Sequence, residues 1–157
     1  MVSGSGQANP RASTVVTLSI VTTPPPYTLA AVLAAGEVER LYSGLSVLVS
    51  TAADGDRCAA LASFRALELL MDPDLARRAQ EPEASPGLAW GGRETFGRSL
   101  GELRDTALSM DALDIYACSA SVETMMVSAA DVEERLAGVM STPRFLRETA
   151  SARLIFV

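Results

Sequence analysis

The sequence predicts an α/β protein, a three-layer α/β/α sandwich on a mostly parallel sheet of about five strands. Three observations carry this prediction. Short apolar runs alternate with longer segments of helical spacing, the order that builds parallel βαβ units. Ala, Leu and Val dominate an apolar fraction of 48% at a mean hydropathy of +0.22, as strands covered on both faces require. A length of 157 residues gives one core, able to bury roughly two-thirds of the surface that the unfolded chain exposes. Residues 1–13 read as a flexible tail, and 14–157 as a single domain with a long insertion at about 72–97.

Thr14 to Val21 is rich in β-branched residues and stops at Thr22-Thr-Pro-Pro-Pro26, which predicts a buried first strand and a stiff turn. Tyr27 to Tyr42 carries apolar residues at helical spacing up to Ser43-Gly44 and predicts a helix. Leu45 to Val49 predicts a second strand, and Ser50 to Gly55 a turn. Asp54 or Asp56 would then cap a helix running through Cys58, Leu61, Phe64 and Leu67 to Met71. In the insertion, a short helix is expected around Leu75 to Gln80 and a long loop over Pro82 to Gly92. Helical spacing returns from Phe96 to Met110 and delivers the chain into a strand over Ala112 to Cys118. A turn and a helix over Val122 to Met126 follow, and then Ser128 capping a helix over Asp131 to Leu136. A short strand over Ala137 to Met140, a last helix with Pro143 in its first turn and a terminal strand over Arg153 to Val157 complete the chain.

Absences limit the chemistry. There is no His, and all 13 basic residues are Arg, which removes Ser-His and Cys-His catalysis, Schiff-base lysines, the Walker lysine and His-ligated metals. Two cysteines are too few for a zinc site without His or for a disulfide scaffold, and suit a reducing compartment with one working thiol. No cofactor or metal is expected. A net charge of −6 argues against nucleic acid as the main partner. No apolar run reaches the ~18 residues of a membrane span. Met1 to Pro10 lacks the basic start and apolar stretch of a secretory leader, so a cytoplasmic protein is expected.

Cys118 is the candidate nucleophile. It stands at the predicted carboxyl end of a strand, just before a helix, where open α/β sheets bind ligands and where amides and the helix dipole favour thiolate. The other reading is a small buried hydrophobe. A carrier thiol needs access and room for one more sulfur, so the site is expected to be partly wet. Ser119 and Ser121 in the following turn, Thr22 and Thr23 after the first strand, and Asp54 and Gly55 after the second are the candidate binding residues around it. Cys58 would approach Cys118 if their elements were neighbours, although its surroundings suggest core. Trp90, Arg93 and Phe96 offer a lid, a subunit contact or a satellite core, and of Met125 and Met126 at most one faces inward.

The Ile115-Tyr-Ala-Cys118 strand end, the helix with Met125-Met126, the Ser128-Ala-Ala-Asp-Val132 segment, the Gly138-Val-Met140 strand, the Phe145-Leu146 helix and the Leu154-Ile-Phe156 strand follow one another in an order and spacing that resemble the DsrE/DsrF-like family. Thr22-Thr-Pro24 and Leu45 to Gly55 fit more loosely. The resemblance implies a sheet with its first strand central, a persulfide-carrying cysteine at Cys118, sulfur donor and acceptor proteins as partners, and a homo-oligomer, trimer or hexamer.

Overall fold

The computed structural model describes Met1 and residues 26–157. Five strands, β1 (Leu29–Leu33), β2 (Cys58–Ala62), β3 (Leu113–Cys118), β4 (Gly138–Met140) and β5 (Arg153–Phe156), form one sheet in the order β4-β3-β2-β1-β5, with every pair parallel. Seven helices connect them among the described residues: α1 (Val38–Ala53), α2 (Phe64–Met71), α3 (Leu75–Arg78), α4 (Trp90–Ser109), α5 (Ser119–Met125), α6 (Ala129–Arg135) and α7 (Thr142–Glu148). None is long and apolar enough to cross a membrane.

The strand order explains the layers. From β1 to β4 the chain steps across the sheet in one direction, and right-handed crossovers then place every connecting helix on the same face. From β4 it jumps back past three strands to β5, so α7 falls on the opposite face. The two cores follow. Leu29, Ala31 and Leu33 of β1, Cys58, Ala60 and Ala62 of β2, and Leu113, Ile115 and Ala117 of β3 meet α1, α2, α4 and α6 in the larger one. The alternate residues Ala30, Val32, Ala59, Leu61 and Cys118 meet Phe145 of α7 in the smaller one. The α/β class and its three layers are therefore as the sequence predicts, and β1 is an inner strand next to β2, which holds the middle.

Several boundaries in the first half differ from the sequence reading. The strand expected over 14–21 lies outside the described residues. The predicted helix over Tyr27 to Tyr42 is instead β1 followed by the start of α1, because Leu29–Leu33 is a five-residue run buried on both faces, for which periodicity does not separate strand from helix. The predicted strand over Leu45 to Val49 lies inside α1. Its buried residues Leu41, Leu45, Leu48 and Ala52 keep one helical face that Val47 and Val49 obscure in sequence. Gly44 lies inside the helix and lets α1 approach β1 closely, since a Cβ there would come within 2.9 Å of the Leu33 side chain. The predicted helix through Cys58 begins only at Phe64, and Cys58–Ala62 is a central strand buried throughout.

The second half follows the prediction closely. β3, β4, β5, the short α3 and the Pro143 start of α7 are all present, and the Ser128 hydroxyl caps α6 by accepting from the Asp131 amide. The insertion is more helical than expected, since α4 already begins at Trp90. Gly97 brings α4 against α3 so closely that a Cβ would collide with the Ala76 carbonyl oxygen. Phe96 packs on the main core and on the Tyr42 ring at 5.5 Å, and the Arg93 Nε donates to the Ser85 carbonyl.

On the α7 face, a polar cluster ties the amino ends of the central strands. The Tyr27 hydroxyl and the Arg57 guanidinium both donate to Asp114 Oδ2 at 2.7 Å, and Arg57 stacks 4.4 Å above the Tyr27 ring. Burial, reinforced by Tyr116 and Asp114, raises the Tyr27 phenol well above its ordinary range.

Candidate functional site

Cys118 is the last residue of β3 and the residue that caps α5. Strand alternation sets its direction: Leu113, Ile115 and Ala117 point into the main core, so Cys118 and Tyr116 point to the α7 face. The parallel register places Cys118 beside Met140 of β4, and the chain turns there into α7, bringing the Thr142 hydroxyl to 3.9 Å from the sulfur. The thiol is only 6% exposed, so the open, wet site expected from sequence is not what the fold presents.

Burial pushes the Cys118 thiol up, yet donors outweigh it. Ser121, through its amide and its hydroxyl, the Ala120 amide and the Thr142 hydroxyl hold its pKa below the ordinary thiol value. Ser121 is fully buried and has a second contact, since its Oγ accepts the Phe64 N–H at 3.0 Å. A hydroxyl has one hydrogen, so an oxygen that accepts from Phe64 still has that hydrogen to donate. Phe64 makes the contact from the left-handed region, at φ 43°, in the tight turn from β2 into α2. Its ring is half exposed. An aromatic residue held there is strained, and the β2 turn is thereby latched to the turn beneath Cys118.

Cys58 is the opposite case. It opens β2 at the far end of the sheet, paired with Leu113, and faces the main core fully buried. Burial, and then Asp56, push its thiol up. Five residues of strand, about 17 Å, and the two faces of the sheet separate it from Cys118, so Cys58 is the core residue that its surroundings suggest in the sequence and does not approach Cys118.

Of the candidate binding residues, Ser119 and Ser121 flank Cys118 as expected. Asp54 and Gly55 do not. Asp54 is the C-cap of α1 and Gly55, at φ 93°, turns the chain into the amino end of β2, so both lie at the edge of the sheet away from Cys118. Their expected position followed from reading Leu45 to Val49 as a strand. Thr22 and Thr23 lie outside the described residues. Sequence reasoning missed Thr142 and Phe64. Thr142 reaches Cys118 only because β4 pairs with β3, and no local signal marks the Phe64 backbone. Met126 is the outward member of its pair, 91% exposed.

The site therefore offers a single thiol of lowered pKa, without a neighbouring base among the described residues. Comparison with known proteins finds no family model that matches the chain and no matching curated relative.

Proposed function

We propose that the chain is a sulfur carrier or sulfurtransferase-like protein of the DsrE/DsrF-like kind, working in a reducing, cytoplasmic compartment. Cys118 accepts sulfane sulfur, holds it as a persulfide and passes it to a partner protein. The observation that supports this reading is the contrast between the thiols: donors lower the pKa of Cys118, whereas burial raises that of Cys58. The Cys118 thiolate attacks the outer sulfur of a persulfide or polysulfide donor. One S–S bond forms and one breaks, the donor's remaining thiolate leaves and takes a proton from water, and no external oxidant is required. The same donors then serve the terminal sulfur anion. Because Cys118 is buried, transfer requires the Ser141-Thr142 turn to yield and admit the donor.

The burial itself favours a second reading, a non-catalytic binding or assembly module with Cys118 as a packed thiol. Mass spectrometry after treatment with a sulfane-sulfur donor separates the two. A carrier gains about 32 Da that a reductant removes, loses the adduct in Cys118→Ser and keeps it in Cys58→Ser. No adduct on the folded wild type, or an unchanged adduct in Cys118→Ser, contradicts the carrier.

A further inference from the structure

A cavity of about 320 Å³ opens outside the carboxyl end of β1, and among the described residues it shares none with the thiol site. β1 is the strand from which the sheet grows both ways, toward β2 on one side and β5 on the other, and open α/β sheets bind small molecules at that place. The volume is at the lower end of the roughly 300–1,000 Å³ that such sites occupy. Three segments build it: the entry to α1, the pair α2 and α3, and the loop after α3. Buried Val38 and Leu69, with half-buried Ala84, make part of its lining apolar. The charges are sorted by segment. Arg65 of α2 and Arg78 of α3 line it together and are fixed by one shared partner, Glu68, whose two oxygens accept from Arg65 at 2.7 Å and from Arg78 at 2.9 Å. Gly36 lets Arg65 lie there, since a Cβ on it would come within 2.8 Å of the Arg65 Cβ. A guanidinium has five N–H groups, so both arginines keep donors beyond those that Glu68 and Asp72 engage. Glu37 and Glu39 at the entry to α1 and Glu83 in the loop line the rest, and among the described residues none of the three enters an ion pair.

We propose that this cavity binds a small apolar α-amino acid, with its carboxylate on Arg65 and Arg78, its ammonium on the glutamates and its side chain against Val38, Leu69 and Ala84. The argument is complementarity. Opposite charges that line one cavity without pairing leave a gap, and a ligand that carries both charges closes it. A plain anion would meet the glutamates and a plain cation the arginines, so a dipolar ligand suits the whole lining. The planar guanidinium matches a carboxylate with two parallel donors, and arginines already fixed by Glu68 lose little freedom on binding. The proposal does not depend on the chemistry of Cys118, and no readout of its test involves that residue.

Titration of the full chain with L-leucine, followed by the backbone amide shifts in nuclear magnetic resonance, tests it. Two controls each lack one charge: 4-methylpentanoate has no ammonium, and isopentylamine has no carboxylate. L-leucine is expected to give saturable shifts at residues 36–39 and in α2. Each control should bind at least roughly tenfold more weakly, because it loses one charge-assisted contact. Arg65→Gln should weaken binding of L-leucine and 4-methylpentanoate, and leave isopentylamine no weaker. Glu39→Gln with Glu83→Gln should weaken L-leucine and isopentylamine, and leave 4-methylpentanoate no weaker. Wild-type amide shifts away from the cavity check that each variant is folded. The proposal is overturned by the absence of saturable shifts at millimolar L-leucine, or by shifts centred elsewhere. A control that binds as tightly as L-leucine overturns it too, as do folded variants that bind all three probes like wild type.

Discussion

Ser121→Ala is the sharpest probe of the thiol site, because one buried hydroxyl serves two partners. Its removal leaves the Phe64 N–H without its acceptor, at a cost of roughly 1–3 kcal/mol in stability. It also removes one of the donors that hold the Cys118 pKa down, while both amides and Thr142 remain. A hydrogen bond to a charged group contributes about 1.5–3 kcal/mol at most, and the remaining donors compensate in part, so the thiol should titrate higher. The assay is the pH dependence of alkylation by a small reagent, in a Cys58→Ser background so that a single thiol reports. The midpoint should move up and the rate near neutrality should fall several-fold, while the rate at the alkaline plateau is retained. A fall in melting temperature with an unmoved midpoint would refute the reasoning. Ser121 would then be a latch between two turns and nothing more.

Gly97→Ala should destabilise by roughly 1–3 kcal/mol in chemical denaturation, since the added methyl meets the Ala76 carbonyl and forces α3 away from α4; an unchanged midpoint would contradict that contact. Phe64→Gly relieves a left-handed backbone at the expense of a half-exposed ring, so stability should stay level or rise by about 1 kcal/mol. A clear loss would mean that the ring carries structural weight. Asp72 is pushed up by burial but held below the usual carboxylate range by the Asp74 amide and Arg78. Its folded pKa is thus depressed, and its stabilising contribution is complete above the unfolded value of about 4 and lost as pH falls through the folded one. Asp72→Asn should accordingly flatten the acid limb of a melting temperature against pH curve below about pH 4, and an identical limb would remove Asp72 from the account.

The second half of the fold was legible because its signals are local. Pro143 at a helix start, Ser128 three residues before Asp131 and the Leu113–Cys118 run between turns each act within a few residues. The first half was not, because Leu29–Leu33 and Cys58–Ala62 are runs buried on both faces, with no alternation to mark them as strands, and because Ser43-Gly44 imitates a helix stop within α1. That shift of register moved Asp54 and Gly55 to the wrong edge of the sheet and made Cys58 helical. Cys118 was found from its strand end and the turn after it. Its partners were not all found: Ser119 and Ser121 are neighbours in sequence, whereas Thr142 and Phe64 arrive through β4 and β2. Its burial beside Phe145 and Met140 depends on α7 crossing to the second face, which is a property of strand order and not of any segment.

The central claim is that one thiol of two is tuned for reaction, and competitive alkylation of the native protein near neutral pH, followed by peptide mapping, tests it most directly. The account predicts that Cys118 is labelled first and that Cys58 reacts only as the protein unfolds. Labelling of Cys58 first, or of neither cysteine until unfolding, would contradict it.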